Sequence, residues 1–139
     1  MTNPAVHATQ QRVVLDTNVL VSALLTPDGN PSKILRAVID GQFALVYSAN
    51  ILTEYASVLA RPRFGFDSRD IGDLLGFITA FGEAIAPEPS DVAMADESDR
   101  PFYDVHTAAA ATLVTGNVKH FPLLDQVMTP ADFVKTYLS

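Results

Sequence analysis

Asp16, Glu54, Asp99 and Asn117 are spread over a hundred residues, yet their types suit one job, the collection of hard cations. Asp16 follows the β-branched run Arg12 to Leu15, a strand that stops at polar Asp16-Thr17-Asn18. Its carboxylate should therefore project at that strand's carboxyl end. Asp99 ends the acidic stretch Asp96-Glu97-Ser98-Asp99, and Asn117 follows the run Thr112 to Thr115 and Gly116. Mg2+ and Mn2+ prefer oxygen ligands and keep several waters, so a few convergent carboxylates suffice. Two such ions can hold a phosphodiester, activate water on one side and stabilise the leaving oxygen on the other. Glu54 flanks the stripe Ile51, Leu52, Tyr55, Val58 and Leu59 of its helix. Spacing alone leaves two readings: an exposed glutamate beside a packed face, or a group reaching the edge that carries Asp16.

The elements that must bring these residues together alternate. Strands are expected at Arg12 to Leu15, Phe43 to Tyr47, Ala84 to Ala86, Thr112 to Thr115 and Gln126 to Met128. Between them lie helices at Val19 to Leu25, from Pro31 and Ser32 to a stop at Gly41, and at Ala49 to Ala60 with Ser48 as cap. Others follow at Arg69 to Phe81 with Ser68 as cap, from near Pro101, and from Pro130 with Thr129 as cap. With no repeat and no hairpin signal, this order predicts a three-layer α/β/α sandwich around a mainly parallel sheet of about five strands. Ligands of such sheets bind outside the carboxyl ends of the strands.

Bulk properties narrow the field. A chain of 139 residues, 48% hydrophobic and 18% charged, can bury the core of one globular domain. We expect a mobile lead-in over Met1 to Gln11, with neither the cationic start nor the apolar core of a signal peptide, and one domain over Arg12 to Ser139. The absence of cysteine excludes disulfides, thiolate catalysis and Cys-based zinc sites, and suits a reducing, cytoplasmic setting. No apolar run approaches the roughly 18 residues of a membrane helix. The net charge of −7 runs against a broad basic surface for nucleic acid. Contact with RNA would need bound cations, a local basic patch or a partner subunit, and an acidic chain suits a basic protein partner.

Val14-Leu15-Asp16-Thr17-Asn18, Leu52-Thr53-Glu54-Tyr55, the acidic loop before Phe102, Leu113-Val114-Thr115-Gly116-Asn117 and Lys119-His120-Phe121-Pro122 together resemble the PIN-domain family. The likeness runs from about Arg12 to the end, and is nearest to the toxin components of bacterial toxin–antitoxin pairs, the broad VapC-like group. It implies a parallel-sheet sandwich, Mg2+- or Mn2+-dependent endoribonuclease activity, inhibition by a small antitoxin, and a homodimer. It makes Asp16 the first acidic ligand and Glu54 the second. Asp99 best fits the third, eighteen residues before Asn117, with Asp96 and Asp104 as competitors. Many members carry a fourth acid where this chain has Asn117, whose amide oxygen can ligate but brings no charge. Thr17 and Asn18 would orient Asp16 or contact phosphate, with Thr115 beside them; as turn residues they have an equally ordinary reading.

Weaker signals have plainer explanations. His7, His106 and His120 lack metal-ligand spacing, and Lys119 with His120 reads as a solvated loop pair before a phosphate contact. Arg61 and Arg63 straddle Pro62 and could meet RNA phosphates, or simply be a solvated helix end. Phe102, Tyr103 and Phe121 read as core or interface aromatics. No phosphate-cradling loop and no nucleophile elbow occurs. Two other functions compete. An aspartyl-phosphate enzyme also uses a strand-end Asp and Mg2+, but dehalogenase-like phosphatases want an acid where Asn18 stands, and a receiver domain's acidic pair is not evident. A non-catalytic RNA- or partner-binding module would keep the fold, with Asn117 marking a lapsed site.

Overall fold

The computed structural model describes residues 10–122 and 126–138; apart from Gln10 and Gln11, the expected lead-in lies outside them. At the centre, β1 (Gln11–Leu15) runs parallel to β2 (Phe43–Tyr47) on one side and β4 (Thr112–Val114) on the other. A strand covered on both faces needs an uninterrupted apolar run, and Val13, Val14, Leu15, Leu113 and Val114 are all fully buried. The short β3 (Glu83–Ala84) pairs with β2 and β5 (Val127–Met128) with β4, also parallel. The order β3-β2-β1-β4-β5, with helices on both sides, is the α/β layering expected from the sequence.

That order fixes where a ligand can bind. Strands β1 to β3 progress toward one edge of the sheet and β4 to β5 toward the other. The topological switch point therefore falls between the carboxyl ends of β1 and β4. Asp16 leaves β1 there, and its N–H still donates to the Val114 carbonyl at 3.0 Å, one rung beyond the strands. Thr115 leaves β4 alongside it.

The helices are α1 (Thr17–Leu25), α2 (Asn30–Ile39), α3 (Ala49–Leu59), α4 (Ser68–Phe81), α5 (Arg100–Ala109) and α6 (Pro130–Tyr137). Ser48 caps α3 by accepting from the Ile51 N–H at 3.2 Å, and Thr129 caps α6 through Asp132 N–H at the same distance. Several boundaries differ from the sequence reading, among them β3, which covers Glu83–Ala84 where Ala84 to Ala86 is expected. Helix α1 starts before Val19, because the Asp16 carbonyl already accepts from Val19 N–H at 2.9 Å. Asp67, not Ser68, caps α4, its carboxylate accepting from Arg69 N–H at 2.7 Å. Strand β1 begins at Gln11, whose amide donates to Thr112 Oγ1 at 3.2 Å.

One buried bond fixes the height of α3 against the sheet. Tyr55, wholly buried, donates its hydroxyl to the Leu15 carbonyl at 2.5 Å. Its neighbour Glu54 is thereby held beside the residue that follows Leu15.

Candidate functional site

A concavity of about 170 Å³ opens at the switch point. Asp16, Thr17 and Asn18 line it from the start of α1, and Glu54, Val58 and Arg61 from α3 and its end. Asp96, Ser98 and Asp99 enter from the loop and single 3-10 turn (Glu97–Asp99) before α5. Asn117 and His120 complete it from the segment after β4.

Hydrogen bonds orient the acids. Thr115, fully buried, donates its hydroxyl to Asp16 Oδ2 at 2.8 Å, and its Oγ1 accepts from Asn117 N–H at 3.0 Å. Thr17 donates to Glu54 Oε2 at 2.5 Å. Asp96 is held at the rim by Ser98, whose N–H and hydroxyl both donate to Oδ1, at 2.9 and 2.8 Å. Asp99 Oδ2 is different: it is buried and has no hydrogen-bond partner. His120 Nδ1 lies 3.4 Å from it, close enough for an ion pair when the ring is protonated but outside hydrogen-bonding geometry.

These surroundings work against ionisation at two of the acids. Burial pushes the Asp16 carboxyl above the usual carboxylate range; the Thr115 hydroxyl and the Thr17 and Asn18 amides oppose this, while the nearby Glu54 adds to it. No conventional side-chain cap bond from Asp16 to α1 closes. Asp99 is raised by burial first, then by Asp16 and Asp96, against a smaller pull from His120. Asp96 moves the other way, held low by its Ser98 bonds. Asp16 thus senses Glu54, and Asp99 senses Asp16, so repulsion runs across the concavity.

Such a set of oxygen donors fits a divalent cation. The orphaned Asp99 Oδ2 and the mutual repulsion are what a bound positive charge would relieve. Among the described residues no three His, Asp or Glu side chains stand close enough to share one ion directly. Hard divalent cations can retain several waters and so be held by few protein oxygens.

Of the residues singled out in the sequence, Asp16, Glu54, Asp99, Asp96, Asn117, Thr17, Asn18 and Arg61 line this concavity. Asp104 does not: its carboxylate turns to the Ser90 N–H, 3.3 Å from each oxygen. Thr115 lies beneath the surface as a support for Asp16, not on it as a substrate contact. Lys119 and Arg63 are outside the lining, and the Arg63 guanidinium instead covers the Phe64 ring at 4.8 Å. His120 is nearer the acids than a solvated loop pair would be. The spacing of Tyr55 marks only an apolar stripe and carries no signal of its bond to Leu15.

A parallel sheet with a carboxylate-lined concavity at its switch point defines an α/β protein built to act at that edge. The chain belongs to the PIN-domain family, whose model matches residues 12–119. PIN domains are generally nucleases. The chain is also similar to an uncharacterized protein of Methanocaldococcus jannaschii, MJ1680, with 28% identity over 141 aligned positions covering 91% of each chain. Among the described residues no helix is long and apolar enough to cross a membrane.

Proposed function

We propose that this protein is a Mg2+- or Mn2+-dependent endoribonuclease and the toxin of a toxin–antitoxin pair. One observation carries the nuclease reading: Asp16, Glu54 and Asp99 line one concavity in which Asp99 Oδ2 is buried without a hydrogen-bond partner. Asp16 and Asp99 would hold the ion, with Glu54 and the neutral Asn117 oxygen on its flanks. Bound divalent ions would supply positive charge against the scissile phosphate and lower the pKa of water there. Thr115 keeps Asp16 Oδ2 aimed and favours its ionised form. Thr17 donates to Glu54 Oε2 and fixes where that carboxylate points. Arg61, exposed at the end of α3, offers a cation to a neighbouring RNA phosphate. Hydrolysis then joins the water oxygen to phosphorus and releases the ribose oxygen.

The toxin reading rests on the family likeness and on charge. With a net charge of −7, the chain suits a small antitoxin with a basic segment, and it depends on cations to approach RNA. The test is digestion of single-stranded RNA with Mn2+, with EDTA, and with Asp16→Asn, beside growth on induced expression. Cleavage that needs the metal and Asp16, with growth arrest that Asp16→Asn relieves, is expected. Intact RNA together with identical growth of both proteins would overturn it.

A second reading has one observation in its favour. Asn117, a neutral amide, lines the concavity beside the acids. A binding module without cleavage would show no divalent-ion binding by calorimetry at millimolar metal.

A further inference from the structure

A second cleft, of about 390 Å³, opens where β2 and β3 end. It shares two walls with the acidic concavity. Within the stretch 96–100, Asp96, Ser98 and Asp99 line the concavity, whereas Glu97 and Arg100 line the cleft. On α3, Asn50 lines the cleft and Glu54, one turn further, lines the concavity. At 1.5 Å per residue these two positions are about 6 Å apart along the helix. A strand lying along α3 would pass from one depression directly into the other.

The cleft is held in shape by bonds that have no evident role in the acidic site. Arg100 donates from Nη1 to the Ser90 carbonyl and hydroxyl at 2.7 and 2.9 Å, and from Nη2 to the Val92 carbonyl at 2.8 Å. Its remaining contacts go to Glu97 at 2.7 and 2.8 Å. Asp104 fastens the same loop through the Ser90 N–H. The guanidinium is thus consumed in pinning the loop, and Glu97 neutralises it, so the cleft offers an anion little. What it does offer is apolar surface from Ile85, Ala86, Pro87, Pro89 and Pro101, with the Asn50 amide at its mouth. That amide is exposed in the first turn of α3 and presents one donor and one acceptor face. Apolar walls, the Asn50 amide, the Glu97 and Asp104 carboxylates and no available cation suit a nucleobase and not a phosphate.

We propose that this cleft receives the base of a nucleotide next to the scissile phosphate and reads its edge through Asn50. The proposal rests on the ribonuclease reading, and it makes cleavage sequence-dependent at one flanking position. The test uses the full chain, an RNA library randomised around the cut, and two variants: Asn50→Ala, which removes the amide, and Ala86→Phe, which fills the cleft. Wild-type protein with Mn2+ should prefer one base or base class at a single flanking position. Asn50→Ala should lower cutting of preferred sequences roughly tenfold and flatten that preference. Ala86→Phe should flatten it too, with an unchanged melting temperature. An unaltered preference in both variants would overturn the proposal. A second readout separates it from the nuclease reading: amide NMR during titration with each of the four nucleosides, and with inorganic phosphate. Shifts at Asn50 and 85–89 with nucleosides alone, lost in Ala86→Phe, support the cleft even if no RNA is cut. No shifts with any nucleoside at millimolar concentration, or shifts with phosphate alone, would contradict it.

Discussion

The Thr115 hydroxyl donates to Asp16 Oδ2 across 2.8 Å, joining residues that stand 99 positions apart in the chain. The bond crosses the β1–β4 switch point, and it is the contact that couples the fold to the acid at its centre. The same Oγ1 accepts from Asn117 N–H, so one buried hydroxyl organises both strand ends. Replacing it by an isosteric apolar group, Thr115→Val, should strip both partners at once. The expected cost is about 2 kcal/mol of stability, read as a lower urea midpoint with unchanged slope, and a weaker response to Mn2+. A midpoint equal to wild type would mean that Thr115 is only a packing residue.

Asp16→Asn should separate stability from function. Burial raises the pKa of Asp16. A carboxyl raised on folding gives its full stabilisation below the unfolded value near 3.8 and loses it as pH rises through the folded value. Without divalent ions, wild type should therefore lose stability relative to Asp16→Asn as pH climbs through that window. Asp16 also helps to raise Asp99, so the difference between the two proteins reports both coupled acids, whereas Asp96 and Glu97 are shifted the other way by Ser98 and Arg100. Paired urea titrations in EDTA from pH 4 to 8 would show the two curves diverging; parallel curves would contradict the burial argument.

Divalent ions should reverse that loss. A cation that binds the ionised acids stabilises the folded chain by mass action, and more so as pH rises, because binding displaces protons from Asp16 and Asp99. Calorimetry with Mn2+ in two buffers of different ionisation enthalpy measures the protons released. Release near pH 5 that fades toward pH 8 is expected. No release at any pH would show that neither acid titrates with metal.

Asn117→Asp adds the charge that many PIN domains carry at this position. The extra carboxylate should tighten Mn2+ binding and raise RNA cleavage at limiting metal by about tenfold, while lowering stability in EDTA through repulsion by Asp16. Unchanged Mn2+ affinity would place Asn117 outside the metal's reach.

Helix α5 ends at Ala110 with φ +51, a left-handed conformation that a side chain disfavours. The turn lets Ala111 N–H reach the His106 carbonyl at 3.1 Å. Ala110→Gly should stabilise the protein by about 0.5–1 kcal/mol, after the larger unfolded-state entropy of glycine is counted. A lower melting temperature would show that the Ala110 methyl packs usefully.

What the sequence conveyed depended on whether the signal was local. Asp16 stands where an apolar run breaks, and the alternation of strands and helices forces that break to the carboxyl edge. Glu54 could be narrowed to the border of a stripe, but only the bonds from Thr17 and from Tyr55 to Leu15 show which way it leans. Asp67 and Ser68 are adjacent residues of equal capping ability, so the choice between them was not written in composition. Asp104 was a competitor for the third acid because helix position alone cannot tell which side of α5 it faces. Its partner, Ser90, lies in the loop after β3, a long-range contact without a local mark. Thr115, at the end of its strand, was a candidate substrate contact, and burial by flanking elements makes it a support for Asp16.

The most direct measurement is anomalous diffraction from crystals soaked in Mn2+ at millimolar concentration. The account predicts a peak in the concavity, bounded by the carboxylates of Asp16 and Asp99, with Glu54 and Asn117 beside it, and no such peak in Asp16→Asn crystals. An empty concavity in wild-type crystals, or a peak that survives Asp16→Asn unchanged, would contradict it.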